Sequence, residues 1–141
     1  MISAYKSGII HIGDLPLGGH YPIRVQSMTN TNTNDIEATV AQTIRLAEAG
    51  CEMVRITAQG ITEAHNLALI RKNLHARGIK IPLIADIHFN PHAAEVAAAI
   101  VEKVRINPGN YTDKRESKQA LSAREYDEEL ERIAQRLRPL L

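Results

Sequence analysis

The sequence has a single cysteine, Cys51, which excludes an internal disulfide and any all-cysteine metal centre built by this chain alone. A reducing, cytoplasmic setting fits that scarcity. Charge of one sign is lacking as well: 17 basic residues face 16 acidic ones for a net charge of +1, so there is no general basic field for nucleic acid or a membrane surface. Any anion site must be local. No apolar core follows the opening M-I-S-A-Y-K-S-G, and no run approaches the roughly 18 apolar residues of a membrane span, so neither a targeting segment nor a transmembrane helix is expected. The G-x-G-x-x-G turn of dinucleotide-binding folds is also missing, since the loop in its place reads T-N-T-N-T-N at residues 29–34, which argues against a doubly wound nucleotide fold. What remains is 141 residues, 44% of them hydrophobic, enough for one globular domain with a real core.

Two short stretches echo each other. M-V-R-I-T at residues 53–57 and K-V-R-I-N-P-G-N at 103–110 each set an arginine between β-branched residues, so that a strand sends Val and Ile to one side and Arg to the other. Amphipathic helical patterns precede them and polar loops follow, the rhythm of βα units building a parallel sheet. A guanidinium inside such a sheet needs a carboxylate of the protein or an anionic ligand.

In chain order, residues 1–22 read as a hairpin or cap, with strands at 9–12 and 23–26 around a Pro- and Gly-containing loop at 13–20. Such an excursion could close one end of a barrel. Residues 23–141 then read as four βα units. Strand 23–28 leads to a helix capped by Asn34 with Glu37 and stopped by Gly50; strand 51–57 leads to a helix from about Thr62, stopped by Gly78. Strand 81–89 is followed by Asn90 as amino cap and Pro91 in the first turn. Strand 103–107 is followed by a polar loop at 108–121 and a helix opened by Ser122 and Glu125, with Tyr126, Leu130, Ile133 and Leu137 as its buried stripe.

Four units are half of a TIM-type (β/α)8 barrel of roughly 250 residues, in which alternate strands fill the same interior layer. Arg55 and Arg105 should therefore point inward at similar height and converge on one anion. Alternation along L-I-A-D-I-H-F puts Asp86 and His88 on one face, at the carboxyl end of the strand where barrel enzymes keep their active residues. Asp86 could instead neutralise one of the arginines in a structural pair. Gln26, Ser27, Met28 and Thr29 end their strand and face the same mouth or simply open a loop. A metal at Asp86, His88 and His92 is disfavoured because Asn90 and Pro91 separate the two histidines. His11, His20, His65 and His75 read as surface residues, Lys114, Arg115 and Lys118 as a solvated loop or a lid over an anion, and Cys51 as a small buried residue.

P-I-R-V-Q-S-M-T-N-T, E-A-G-C-E-M-V-R-I-T, I-P-L-I-A-D-I-H-F-N and V-R-I-N-P-G-N, in this order over nearly the whole chain, resemble the 4-hydroxy-3-methylbut-2-enyl diphosphate synthases of the non-mevalonate isoprenoid pathway. The resemblance implies an oxidoreductase whose TIM-type barrel holds 2-C-methyl-D-erythritol 2,4-cyclodiphosphate and whose carboxyl-terminal domain carries a four-iron four-sulfur cluster, reduced by ferredoxin or flavodoxin. Carried over by motif position, it implies Arg55, Arg105 and Asn107 as substrate-binding residues and Asp86 and His88 as catalytic ones. The cluster's three cysteines and their C-P-x-C signal have no counterpart in this sequence. The chain is thus expected to be the amino-terminal half-barrel, without the iron-sulfur domain, inactive by itself, and prone to pair as a homodimer or otherwise self-associate through its open edges. A non-catalytic phosphate-ester binding module and a pterin-type barrel enzyme are the alternatives.

Overall fold

The computed structural model describes residues 6–107, 111 and 122–141. Two strands, β1 (Ile9–Ile12) and β2 (Leu15–Gly18), pair antiparallel with Ile12 opposite Leu15. Gly13 takes φ 59 in the two-residue connection, where a hairpin of this length commonly has glycine first. The second arm of the hairpin therefore falls in the stretch read as a loop, and residues 23–25 are not part of it. Pro16 misled that reading. A two-stranded ribbon has a free edge on each strand, so a residue without an N–H is tolerated there, and the Pro16 carbonyl accepts a bond from Arg24 Nε at 2.8 Å.

The rest of the chain alternates β3 (Gln26–Met28), α1 (Ile36–Glu48), β4 (Met53–Ala58), α2 (Ile61–Ala76), β5 (Leu83–Ile87), α3 (Pro91–Ala98), β6 (Lys103–Arg105) and α4 (Ala123–Leu137), ending in a short 3-10 turn at Arg138–Leu140. The four later strands lie side by side in chain order, all parallel. Four βα units behind an amino-terminal hairpin make an arc of TIM-type barrel, as the sequence rhythm implies. The strands are shorter than the patterns suggested. The first, for example, begins only at Gln26, because the Glu52 carboxylate takes the N–H of Val25 at 2.8 Å.

Alternation divides the sheet into two faces. Val54, Ile56 and Ala58 of β4 and Leu83, Ala85 and Ile87 of β5 pack outward with Leu67, Ile70 and Leu74 of α2 and Ala93, Ala94 and Ala97 of α3. The alanines let α3 approach closely, and each fully buried Leu or Ile contributes about 1.5–3 kcal/mol. On the inner face, Met53 and Ile84 meet Ile12, Leu15 and Leu17 of the hairpin. The hairpin thus plugs the amino-terminal end of the strands, and the described residues leave the carboxyl-terminal end open.

Helix punctuation follows the sequence with one correction. Gly50 and Gly78 take positive φ after α1 and α2, Asn90 caps α3 ahead of Pro91, and Ser122 with Glu125 forms a full capping box on α4. The cap of α1, however, is Asp35, which accepts from Ala38 N; the Asn34 amide reaches across to Glu63 and Asn66 instead. The stripe on α4 is not buried either. Tyr126 and Leu130 are exposed, since α4 meets the rest of the described fold near its carboxyl end, where Leu137 and Leu140 join the core and Arg136 lies 3.4 Å from Glu95. The polar loop with Lys114, Arg115 and Lys118 lies outside the described residues.

Candidate functional site

The inner face changes character along the strands. Met53 and Ile84 are apolar and covered by the hairpin, whereas the next inward positions are Arg55 and Asp86, followed by Thr57 and His88. Asp86 is 2% exposed and stands between two guanidiniums. Its Oδ1 accepts from Arg105 Nη1 at 3.0 Å, and its Oδ2 lies 3.5 Å from Arg55 Nε and 3.4 Å from His88 Nε2. The structure therefore brings together Arg55, Asp86, His88 and Arg105, four of the five residues the motifs singled out.

The two arginines do not lie on one hydrogen-bonded row. Arg55 aligns with Ile84 and so with Lys103, while Arg105 aligns with Asp86 and so with Thr57. The offset amounts to one residue per strand, the stagger that a shear of about 8 over eight tilted strands requires of side chains in one layer. Offset in register, they converge on one carboxylate.

The pairing with Asp86 is real, and it does not neutralise the site. Guanidiniums keep their charge at any ordinary pH, so two fixed cations share one carboxylate even with the histidine uncharged. The N–H groups of Arg55 are poorly matched: beyond the 3.5 Å approach of Nε to Asp86, Nε and Nη2 lie 3.3 and 3.2 Å from Met28 Sδ, and a thioether is a weak acceptor. The guanidinium side chains are 33% and 44% exposed. An anion with several oxygens would meet two positioned cations and N–H groups that lack a strong acceptor.

Asn107 is exposed, two residues beyond Arg105 on the way out of β6. Of the residues ending β3, Met28 touches Arg55, Thr29 is buried with its N–H on the Arg55 carbonyl, and Gln26 is exposed. His92 turns to Glu95 on its own helix at 3.3 Å, away from Asp86. His20 stacks on Tyr21, and Cys51 is half-buried against the outer core. Among the described residues, no group of three or more His, Cys, Asp or Glu could hold a metal ion.

The sequence left Met28 between the mouth and a loop opening, and the structure sets it against the Arg55 guanidinium. One feature escaped the sequence reading. Phe89 has φ 57, the one non-glycine residue with positive φ among the described residues. Its place directly after D-I-H and before the Asn90 cap is the only hint, since a chain turning from strand to helix in so few residues has little conformational choice.

Residues 7–135 match the family described as GcpE TIM-barrel domain. The chain is 56% identical over 138 residues to the 4-hydroxy-3-methylbut-2-en-1-yl diphosphate synthase (flavodoxin) of Parabacteroides distasonis, covering 96% of this chain and 23% of that protein. It is 53% identical over 135 residues to the protein of the same name from Protochlamydia amoebophila, with 94% and 21% covered, and 47% identical over 133 residues to that from Akkermansia muciniphila, with 94% and 23% covered. It spans less than a quarter of the length of these curated relatives. With a family match over nearly its whole length and an arc of parallel βα units to go with it, the chain belongs to the GcpE TIM-barrel family.

Proposed function

We propose that this chain is the substrate-binding part of a 4-hydroxy-3-methylbut-2-enyl diphosphate synthase, which opens and reduces 2-C-methyl-D-erythritol 2,4-cyclodiphosphate to 4-hydroxy-3-methylbut-2-enyl diphosphate in isoprenoid biosynthesis. The observation that carries the reading is the charge imbalance at the mouth, where two guanidiniums share the single carboxylate of Asp86. Arg55 and Arg105 hold diphosphate oxygens, Arg55 exchanging the Met28 sulfur for a far better acceptor. Asn107 orients those oxygens at the rim. Asp86 keeps both guanidiniums aimed before the substrate arrives, so little reorganisation is needed on binding. His88, held 3.4 Å from Asp86, positions a substrate hydroxyl or carries a proton.

The four-iron four-sulfur cluster of this reading does not fit the residues present. Cys51 is the sole cysteine, half-buried on the outer core, and cluster ligation takes several thiolates. Residues 1–22 act as the basal cap and 23–141 as the partial barrel, with flavodoxin, which the relatives' name cites, as electron donor to the complete protein. The strand edges of β3 and β6, with Ile23 and Val25 exposed beside the first of them, favour self-association. No helix among the described residues is long and apolar enough to cross a membrane; a cytoplasmic site of action accompanies this reading.

The test uses the complete protein with its cluster and reduced flavodoxin. Arg55→Ala and Arg105→Ala are each expected to lower kcat/KM on the cyclodiphosphate about 100-fold, the equivalent of roughly 2.7 kcal/mol, with Arg24→Ala at the base near wild type. Turnover by Arg105→Ala at the wild-type rate would refute the assignment.

A further inference from the structure

The mouth contains more than the charged cluster. A cavity of about 400 Å³ lined by Gln59, His88, Phe89 and Asn90 lies beside it, joined to the cluster through His88, whose Nε2 faces Asp86. Gln59 also lines a second cavity of about 430 Å³, walled by residues 29–34, Thr57 and Glu63. The mouth thus extends from the arginines across largely polar ground. Among the described residues lining it, the one carboxylate, Glu63, is engaged by the Asn34 amide, which lowers its pKa below the usual value.

Phe89 is the chain's single phenylalanine. It is 54% exposed, with its ring edge-on to His88 at 6.1 Å and 69°. An exposed apolar side chain is ordinary, but one that also holds a left-handed backbone at φ 57 combines two unfavourable features at the rim of a charged site. Strain of this kind persists where the surroundings impose it, and it concentrates at ligand sites. The ring offers an apolar wall, and the exposed Gln59 amide can both donate to and accept from a hydroxyl. Asn90 is occupied as the cap of α3.

We propose that the Gln59–Phe89 cavity is the subsite for the uncharged, hydroxylated carbon skeleton of a phosphate ester whose phosphate oxygens lie on Arg55 and Arg105. The inference rests on the anion-clamp reading above and adds the part of the ligand that the arginines cannot recognise. C–H surface packs on the Phe89 ring, a hydroxyl bonds to Gln59, and the described lining, in which no residue carries a fixed charge, keeps a second anionic group on the arginine side. The arginines hold the anion; Phe89 and Gln59 choose the ester.

Two probes separate these roles in isothermal titrations of the 141-residue chain: inorganic pyrophosphate, which engages only the clamp, and 2-C-methyl-D-erythritol 2,4-cyclodiphosphate, which engages both. The wild type is expected to prefer the cyclodiphosphate by about tenfold or more, the scale of one well-placed group or apolar contact. Phe89→Gly accommodates the positive φ without strain, so it should fold, retain its pyrophosphate Kd, and lose most of that preference. Gln59→Ala, a change at an exposed loop position, should reduce the preference about threefold with thermal stability unchanged. A preference that survives both substitutions, or pyrophosphate affinity that falls in parallel with that for the ester, would overturn the subsite. Equal wild-type affinity for the two probes would remove the subsite and leave the clamp standing, whereas binding of neither would remove the clamp and the subsite with it.

Discussion

The two ends of the same parallel sheet handle charge in opposite ways. At the base, two arginines each have their own carboxylate: Arg24 pairs with Glu52 at 2.8 Å and Arg71 with Glu102 at 2.9 Å. Each of those carboxylates also takes a backbone N–H, Val25 for Glu52 and Leu83 for Glu102. At the mouth one carboxylate serves Arg55, Arg105 and His88. A saturated pair holds structure together; a shared carboxylate leaves charge available for a ligand. The same residue types, arranged in one-to-one pairs or around a shared carboxylate, distinguish the base of the arc from its mouth.

The contrast breaks most severely at Asp86. Asp86→Asn leaves two guanidiniums facing each other, and the loss should be about 2–3 kcal/mol in urea denaturation, below the full value for a buried pair because the arginines are partly exposed. Saturating pyrophosphate should restore much of it, since a ligand bound only by the folded state stabilises that state. Arg105→Ala should act on function instead of fold. Stability should change by about 1 kcal/mol or less, while pyrophosphate affinity falls at least about tenfold, the scale of one charged hydrogen bond.

At the base the pattern should reverse. Arg71→Ala is expected to lower stability by up to about 1 kcal/mol and to leave anion affinity unmoved. Glu52 supplies the smallest effect and a pH signature. The Val25 N–H, and then Arg24, hold its carboxyl below the usual glutamate value, so its contribution is complete above the ordinary pKa of about 4.3 and is lost as the pH falls through the lowered folded value. Thermal melts between about pH 5 and pH 3 should therefore decline less steeply for Glu52→Gln than for wild type. No such flattening is expected for Gln59→Ala.

The mouth's half of this contrast is legible in the sequence, and the reason is periodicity. V-R-I and A-D-I-H fix which side chains share a face once the strands are placed, so the sequence alone gathers Arg55, Asp86, His88 and Arg105. The capping box at Ser122 and the glycine stops at Gly50 and Gly78 follow from local chemistry and stand where expected. The misses lie where partners are distant in sequence. Nothing near Asn34 announces that Glu63 and Asn66 would draw its amide away and leave the α1 cap to Asp35. Pro16 and the glycines disguised the second hairpin strand as a loop, because the ribbon's free edge cannot be read from composition. The stripe on α4 has helical spacing, yet spacing alone does not supply a surface to cover it. The number of cations around Asp86 was likewise undetermined, since a one-to-one pair and a shared carboxylate use the same residues.

The central claim is that the mouth's unbalanced charge is an anion site and the base's paired arginines are not. It is tested most directly by titrating inorganic pyrophosphate into the wild type, the Arg55→Ala/Arg105→Ala variant and the Arg24→Ala/Arg71→Ala variant at two salt concentrations. The account predicts one salt-sensitive site in the wild type and in the basal variant, and none in the mouth variant. Undiminished binding by the mouth variant, or loss of binding in the basal variant with its fold intact, would contradict it.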